Sequence, residues 1–310
     1  MHILLFGKDG QLGRELQRSL APLGTLTAWG RETADFSKPE SLAARVIAAQ
    51  PDVIVNAAAY TAVDKAESEP ELAHAINAAA PAALAQAALV LGSRLIHYST
   101  DYVFDGLGTT PWTENAATNP QNVYGASKLA GEQAITASGC DHFIFRTSWV
   151  YAEEGGNFAK TMLRLALERD ALSVIDDQVG APTDAGWLAD MTAEAILRQA
   201  EQLTVRTGPV EVPSGIYHAA CAGEVSWHGY ASYLVAKARA MGFPVKVSPE
   251  AIRAVPSSAF PTPARRPLNS RLDCSKLERT FGVTPPPWQA GIDDLLIHLN
   301  NNLSSHPLHP

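Results

Sequence analysis

Short apolar runs alternate with helical segments through the first 150 residues, and this alternation limits the fold more than any other feature. The first run, 2–6, ends at Gly7, and the helix that follows, 12–23, ends at Gly24. Strands separated by helices of ten or more residues pair in parallel, with right-handed crossovers. The predicted strands are 2–6, 25–29, 52–56, 94–98, 142–146 and 215–220, and the predicted helices are 12–23, 41–50, 71–91, 158–169, 187–202 and 225–241.

A glycine-rich loop joins the first predicted strand to the first predicted helix. Gly7, Gly10 and Gly13 are three residues apart there, with Gln11 and Leu12 between the last two. This spacing allows a tight turn, a close approach of backbone to a pyrophosphate and close helix–strand packing. The free N–H groups at the start of the helix would face the phosphates. The loop therefore predicts a dinucleotide cofactor; a purely structural turn is the alternative.

The end of the second strand bears on which cofactor is used. An acidic residue that binds the ribose is expected about 20 residues after the loop, but Gly30 stands there, with Arg31 next to it. An arginine at this place accommodates a 2′-phosphate, which favours NADPH over NADH or tolerance of both. The alternative is that Arg31 is a solvated loop residue and Glu32 binds the ribose.

Tyr124 and Lys128 are four residues apart, so on a helix their side chains share one face. A tyrosine titrates near ~10, and a neighbouring ammonium is expected to lower that pKa. The phenol could then donate a proton to a ketone oxygen. Thr100 follows the strand 94–98, where strand ends line the ligand crevice of a parallel sheet, and can hydrogen-bond the reacting carbonyl. A Tyr–Lys pair alone usually marks a solvated helix face.

Beyond residue 150 the pattern loosens, and residues 256–267 form a proline-rich, extended segment. We predict an α/β fold: a Rossmann-type doubly wound parallel sheet with a smaller, discontinuous α/β substrate-binding lobe. Residues 1–150 with about 185–222 would form the NAD(P)-binding domain. Residues 151–184 with 223–310 would form the substrate domain.

Charge and cysteine content exclude several classes of protein. The chain has 24 Lys and Arg against 32 Asp and Glu, a net charge of −8, which argues against nucleic-acid binding. Its three scattered cysteines suit a reducing cytoplasm. No signal peptide is recognised, and the apolar stretches are too short or too broken by polar residues to span a membrane. The tail with His306 and His309 is expected to be disordered.

The order of glycine loop, strand-end threonine and Tyr–Lys pair resembles the extended short-chain dehydrogenases/reductases. Within that group the chain is similar, over almost its whole length, to the dTDP-4-dehydrorhamnose reductase family. The segments that carry this resemblance are 7–13, 35–36, 56–64, 99–104, 122–125, 146–151, 157–158, 177–183 and 263–267.

The resemblance implies an activity and a set of site residues. The expected reaction is reduction of the C4 ketone of dTDP-4-dehydro-L-rhamnose to dTDP-L-rhamnose by NAD(P)H, the last step of dTDP-L-rhamnose synthesis, which supplies lipopolysaccharide O-antigen. The catalytic residues would be Thr100, Tyr124 and Lys128. The cofactor contacts would be Gly7, Gly10, Gln11, Leu12, Gly13, Arg31, Asp35, Phe36, Ala58, Ala59, Tyr60, Thr61, Tyr124 and Lys128. The substrate contacts would be Thr100, Asp101, Trp149, Asn157, Arg265 and Arg266.

The resemblance raises the question of a metal. Some members of the family dimerise around a magnesium ion held by three glutamates, and Glu15 matches one of them. The other two positions correspond to Gly186 and His298, whereas a hard cation requires oxygen ligands. Magnesium is therefore doubtful, and a homodimer formed by another route is left open.

Two other functions remain as alternatives. One is another nucleotide-sugar reductase, epimerase or dehydratase of the same superfamily, although dehydratases typically have Asp-Glu after the threonine where this chain has Asp101 and Tyr102. The other is a non-catalytic regulatory subunit related to methionine adenosyltransferase beta.

Overall fold

A parallel sheet of six strands forms the centre of the computed structural model, which describes residues 1–204 and 212–305. The strands are β1 (His2–Phe6), β2 (Thr25–Trp29), β3 (Val53–Asn56), β4 (Arg94–Thr100), β5 (His142–Thr147), β6 (Val150–Tyr151), β7 (Leu172–Ile175), β8 (Val179–Gly180), β9 (Thr183–Asp184), β10 (Gly215–His218), β11 (Val225–Ser226) and β12 (Ile252–Val255). The helices are α1 (Gln11–Leu20), α2 (Leu42–Ala49), α3 (Val63–Ala66), α4 (Pro70–His74), α5 (Ala80–Leu91), α6 (Val123–Ser138), α7 (Phe158–Glu168), α8 (Ala185–Thr204), α9 (Trp227–Ala240), α10 (Ser275–Phe281) and α11 (Trp288–Ser305).

The order of the strands places a ligand crevice beside the glycine loop. The sheet runs β2-β1-β3-β4-β5-β10, and each neighbouring pair is parallel. Because β2 and β3 lie on opposite sides of β1, the direction of winding reverses at β1. Open α/β sheets bind ligands at such a switch point, outside the carboxyl ends of the strands. The predicted Rossmann-type doubly wound sheet is confirmed.

Alternating side chains of the strands build a core on each face of the sheet. On one face Ile3 and Leu5 pack with residues of α1 and α8 such as Leu16 and Leu188. On the other face, Leu4 and its neighbours pack with residues of α2 and α5. A strand buried on both faces reads as a nearly continuous apolar run, which is why β1 and β3 were recognisable in the sequence.

Apart from the cores on the two faces of the sheet, a separate core joins α7, α9 and α11 and is called the second core below. It is rich in aromatic side chains, among them Tyr151, Tyr230 and Trp288. The division into two domains stays a prediction, and the packing differs from it at α10. That helix falls in the predicted substrate segment 223–310, yet Leu277 and Phe281 pack into the core of the sheet.

The long helix predicted at 71–91 is interrupted by a wider turn. Between α4 and α5, residues Ala75–Ala79 form a π-type turn, and Asn77 within it reaches towards neighbouring loops. A Cβ at Gly131 of α6 would overlap the carbonyl oxygen of Asn77, so the two helices are in backbone contact there. Such turns occur often at functional sites.

Among the described residues, Pro70–Leu91 is a helix long and apolar enough to cross a membrane, by length and composition alone, with a mean hydropathy of 1.4. Its residues Ala80, Leu84 and Ala88 are fully buried in the core against the sheet.

Two predictions concern less regular parts of the chain. The proline-rich segment 256–267 contains the 3-10 turn Ser257–Ala259 and is otherwise irregular. The expected disorder of the tail with His306 and His309 lies outside the described residues.

Candidate active site

The glycine loop has the geometry that its spacing predicts. Gly7 adopts a left-handed φ of 80°, and a Cβ there would lie 2.6 Å from the nitrogen of Ala58. A Cβ at Gly13 would overlap the carbonyl oxygen of Gly7, and Gly10 N donates to that same oxygen at 3.1 Å. Leu12 faces the core instead of the loop. Gly7 and Gly13 therefore have no room for a side chain, which keeps the backbone of the loop close to the start of α1.

Gln11 connects the glycine loop to the start of α7. Its Oε1 accepts from the backbone nitrogen of Ala152 at 3.1 Å and from Nδ2 of Asn157 at 3.2 Å. Asn157 also caps α7, accepting from Lys160 N, and donates to Ala152 O. All these contacts are structural. The predicted roles of Gln11 at the cofactor and Asn157 at the substrate stay predictions.

The end of β2 carries charges of both signs. Arg31 is largely exposed, with its Nε 3.9 Å from an oxygen of Asp35. Glu32 pairs with Lys8 at 2.8 Å, and a Cβ at Gly30 would collide with the Glu32 carboxylate. The structure is compatible with both alternatives for the cofactor: Arg31 is exposed and available for a 2′-phosphate, and the Glu32 carboxylate lies at the end of β2, where it could bind a ribose.

Asp35 and Phe36, two of the predicted cofactor contacts, interact with neighbouring side chains of the protein. The Asp35 carboxylate accepts from the backbone nitrogen and hydroxyl of Ser37, and these bonds lower its pKa. The Phe36 ring is buried against Phe6, with ring centroids 5.4 Å apart. These contacts shape the loop after β2, and the roles of Asp35 and Phe36 at the cofactor stay predictions.

The loop after β3 is fixed by Asn77 of the π-type turn. The amide of Asn77 accepts from the nitrogen of Tyr60 at 2.8 Å and donates to its carbonyl oxygen at 3.0 Å. Asn77 also donates to Ser127 Oγ on α6. Thr61 lines the large cavity described below, whereas the Tyr60 hydroxyl donates to Glu69 on the surface. Sequence analysis did not single out Asn77, because its contacts come from tertiary structure.

Thr100, Tyr124 and Asp101 meet at the carboxyl end of β4. Tyr124 lies beside Thr100, and Thr100 Oγ1 donates to Asp101 Oδ1 at 3.1 Å. Asp101 is almost completely buried, its Oδ2 has no hydrogen-bond partner, and burial raises its pKa to about 6. The Tyr102 ring contacts Tyr124 edge to face, with centroids 5.5 Å apart.

Lys128 is buried and faces β4, not the phenol. Its Nζ donates to the carbonyl oxygen of Tyr98 at 2.6 Å and lies 3.2 Å from Nε2 of His97. Burial lowers the pKa of Lys128 to about 8. Burial also raises the pKa of Tyr124. The expected lowering of the Tyr124 pKa by Lys128 is therefore wrong for this arrangement, because desolvation of the phenolate is the largest influence on that pKa.

A cavity of about 1250 Å³ lies between the sheet and the second core. Thr61, Tyr102, Trp227, Arg265 and Arg266 are among the residues that line it. It is large enough for a nucleotide-sized ligand.

The two predicted arginines differ in their surroundings. Arg266 pairs with Asp64 at 2.6 Å, and its Nη1 is buried without a partner. Arg265 is exposed, and its carbonyl oxygen accepts from Asn122 at 2.8 Å. These contacts fasten the proline-rich segment to the loops around the sheet, and both arginines line the cavity.

Trp149 lies in a strained and crowded place. It has a left-handed φ of 50°, which is rare for a bulky residue. Its ring stacks on Trp227 with centroids 3.6 Å apart, and Gly180 provides space for it. The partly exposed Trp149 thus backs a ring that lines the cavity.

The residues near Glu15 do not fit a metal site of three carboxylates on this chain. Glu15 pairs with Arg18 at 3.2 Å. Gly186, its neighbour in space, offers no ligand atom, and Nδ1 of His298 contacts the carbonyl of Asp294. Within residues 1–204 and 212–305, no group of three metal-ligating side chains is present.

Comparisons with known proteins agree with this geometry. The family model "RmlD substrate binding domain" matches residues 1–301. A dTDP-4-dehydrorhamnose reductase of Escherichia coli K12 is 52% identical over 303 residues, which cover 96% of this chain and 98% of that protein.

Solved structures show the same likeness. The crystal structure of a dTDP-4-dehydrorhamnose reductase from Clostridium acetobutylicum has a TM-score of 0.84 and 35% identity, covering 97% of this chain and all of the other. The one from Bacillus anthracis, a complex with NADP, has a TM-score of 0.83 and 32% identity, covering 96% and 99%.

Proposed function

This chain belongs to the dTDP-4-dehydrorhamnose reductase family, and from that premise we propose how its side chains perform the reaction. The enzyme reduces the C4 ketone of dTDP-4-dehydro-L-rhamnose to dTDP-L-rhamnose with NAD(P)H. The observation that carries the assignment of roles is the grouping of Thr100, Asp101 and Tyr124 at the end of β4. Tyr102, whose ring contacts Tyr124, lines the cavity.

Tyr124 is the proton donor. When bound, the reduced nicotinamide supplies a hydride to the carbonyl carbon. Tyr124 gives its phenolic proton to the carbonyl oxygen, and the addition of hydride and proton converts the ketone to an alcohol. Its raised pKa keeps the phenol protonated at neutral pH, as a proton donor requires. Thr100 orients the carbonyl oxygen. Lys128, whose Nζ is held against β4, favours the phenolate that forms through its charge and not by direct contact.

The diphosphate of the substrate is bound by Arg266 and Arg265. The partnerless Nη1 of Arg266 supports this role, because a guanidinium fork fits phosphate oxygens. Asp64 holds the other nitrogen and fixes the plane of the guanidinium. Binding of the nucleotide remote from C4 then positions the ketone.

The cofactor is NADPH, with NADH also accepted. Arg31 supports the phosphate contact, and the Glu32 carboxylate at the end of β2 supports binding of an unphosphorylated ribose. Magnesium is not required, since Gly186 and His298, the two positions that the resemblance pairs with Glu15, supply no carboxylate. Added EDTA should leave the rate unchanged.

The deciding assay is consumption of NADPH with dTDP-4-dehydro-L-rhamnose. Tyr124→Phe should lower kcat by about 10²–10⁴-fold and leave the fold intact. Tyr233→Phe is the matched control, because that hydroxyl bonds Asp293 in the second core, and it should keep the wild-type rate. No turnover by the wild type, or full turnover by Tyr124→Phe, would refute the assignment.

The same purified protein tests the alternatives. A regulatory subunit would bind the cofactor without turnover. An epimerase would keep a tightly bound cofactor that absorbance reveals after purification. Tyr102, where dehydratases typically have Glu, lies with its ring against Tyr124 and supplies no carboxylate for dehydration.

The proposed location is the cytoplasm, where the product supplies O-antigen synthesis. Cys140, Cys221 and Cys274 are free, and two of them are buried, which suits a reducing compartment. A homodimer is compatible with this function and would be tested by light scattering.

A further inference from the structure

The surroundings of Lys128 contain a chain of buried polar groups that the reaction scheme above does not use. His97 of β4 and Asn56 of β3 are adjacent in the sheet and are both essentially without solvent contact. His97 Nε2 faces Lys128 Nζ at 3.2 Å, and His97 Nδ1 faces Asn56 Nδ2 at 3.0 Å.

The backbone fixes which way the Asn56 amide points. Its Oδ1 accepts a hydrogen bond from the nitrogen of Ala58 at 3.1 Å, and a backbone N–H cannot accept in return. The NH₂ group must therefore be the one that faces His97. It donates to Nδ1, so Nδ1 carries no proton.

A neutral imidazole with a bare Nδ1 carries its proton on Nε2. The imidazole is neutral because burial, with the nearby charge of Lys128, holds the pKa of His97 well below its usual value. The Nε2–H group then points at Lys128. An amine can accept that hydrogen bond with its lone pair, whereas an ammonium has only donors to present.

With an ammonium at Lys128, the Nε2–H of His97 and the ammonium would be two donors facing each other. The other tautomer of the imidazole does not remove this repulsion. It would place an N–H on Nδ1 against the Asn56 amide, and flipping that amide would set its NH₂ against Ala58 N–H. Each arrangement that favours an ammonium at Lys128 leaves two buried donors facing each other elsewhere, which is costly away from water.

Other charged groups near Lys128 do not compensate. Glu132, one turn further along α6, raises the pKa of Lys128, but its two oxygens accept from Arg146 of β5 at 2.9 and 2.6 Å. Tyr124 on the same helix is a neutral phenol. From β4 only the Tyr98 carbonyl and His97 are within hydrogen-bond distance.

We propose that Asn56 locks His97 in the Nε2–H tautomer, and that His97 is thereby a positioning residue that favours the amine form of Lys128 over the ammonium. The proposal rests on the function proposed above. His97 thereby sets the pH above which the positive charge of Lys128 is lost from the site.

The tautomer can be measured in the wild-type protein without turnover. Nitrogen-15 spectra of the histidine-labelled enzyme should show one imidazole, absent from His97→Gln, with a bare Nδ1 and a protonated Nε2 between pH 6 and 9. A protonated Nδ1 on that ring overturns the proposal. This result does not depend on the substrate, so it separates failure of the lock from failure of the proposed function.

The effect on Lys128 is measured by the pH dependence of kcat. Activity should fall at high pH as the ammonium is lost. In His97→Gln the amide can turn its oxygen to the ammonium, so the falling limb should move up by roughly one to two pH units. Asn56→Asp still accepts from Ala58 N–H but accepts from His97 Nδ1 as well, which reverses the tautomer, and it should move the limb in the same direction.

His142→Gln is the matched control. His142 is also buried in the sheet, but its Nδ1 contacts the carbonyl of Cys140, at the far end of β5 from the site. Its pH profile should equal that of the wild type. A limb that stays in place in folded His97→Gln shows a merely structural histidine and overturns the proposal.

Discussion

At the scale of single residues, Asp101 is a buried carboxyl whose ionised form lowers the stability of the folded state. Its carboxyl is 2% exposed, accepts from Thr100, and has one oxygen without a partner. An unpartnered buried acceptor is normally avoided, and such groups concentrate where a ligand supplies the missing partner. Asp101 adjoins the proton donor, so a sugar hydroxyl would complete its hydrogen bonds.

The burial of Asp101 predicts a pH-dependent stability. Its pKa of about 6 in the folded protein exceeds the unfolded value of about 3.9, so the folded state binds the proton more tightly. The full stability is present below about pH 4 and is lost as the pH rises through 6. Asp101→Asn should therefore stabilise the protein at pH 8, on the order of 3 kcal/mol, relative to its effect at pH 4.

Urea unfolding at the two pH values measures this difference. The exposed Asp170→Asn serves as control and should show no such dependence. An equal effect of Asp101→Asn at both pH values would contradict the assignment. Activity of the variant should fall if Asp101 contacts the sugar.

Arg31 is the residue on which cofactor choice depends. Arg31→Ala should lower kcat/KM for NADPH by about 5–10-fold, the value of one exposed charge–phosphate contact. The value for NADH should stay unchanged and is the internal control. An equal loss with both cofactors would mean that Arg31 shapes the loop instead of reading the phosphate.

At the scale of elements, α6 is held at both ends of its catalytic stretch. Asn122 caps it, accepting from Gly125 N at 2.7 Å. Further along, Glu132 binds Arg146 of β5 in an ion pair whose side chains are only 2% and 3% exposed. The helix is thereby fixed to the sheet on either side of Tyr124 and Lys128.

Breaking the buried ion pair should be costly. Glu132→Gln leaves the Arg146 charge buried and uncompensated, and should lower the free energy of unfolding by about 3–5 kcal/mol. Glu194→Gln removes an exposed pair with Arg198 on α8 and should cost less than about 0.5 kcal/mol. Similar losses for both variants in denaturant titrations would contradict this account.

The elements also show what sequence could predict. The apolar runs of β1 to β5 and the glycine loop were readable because each depends on neighbours along the chain. Helix α9 was predicted at 225–241, but Ser226 caps it and it begins at Trp227, so only its boundary differs. The π-type turn was not readable, since its Asn77 is held by Tyr60 and Ser127.

The site divides in the same way. Motif and spacing brought Thr100, Tyr124 and Lys128 to one region. His97 was part of a predicted strand, and nothing in its local sequence distinguishes it from a core residue. Its role emerges only when Asn56 and Lys128 are seen on either side of it.

At the scale of the whole molecule, the cavity lies between the sheet and the second core, and the proline-rich segment 256–267 lines one side of it. Arg266 and Arg265 fasten this segment to Asp64 and Asn122. A nucleotide diphosphate bound there would contact both parts of the molecule and stabilise them together.

Binding of dTDP should therefore raise the melting temperature. At one hundred times Kd the stabilisation is about 2.7 kcal/mol. Thymidine, which lacks the phosphates, should stabilise far less at equal concentration, and Arg266→Ala should remove most of the difference between the two. Equal shifts with dTDP and thymidine would place the diphosphate elsewhere. Thermal unfolding followed by circular dichroism is sufficient.

The π-type turn Ala75–Ala79 has a consequence for how the chain tolerates changes in length. Such a turn holds one residue more than an α-helical turn. Here the additional residue lets Asn77 reach the loop at Tyr60, and Gly131, without a side chain, leaves room for the Asn77 carbonyl oxygen. Deleting one alanine from 75–79 would restore regular helix, yet rotate Asn77 away from the loop. In the deletion variant this helix should be more stable than in the wild type, and the protein should bind the cofactor less tightly.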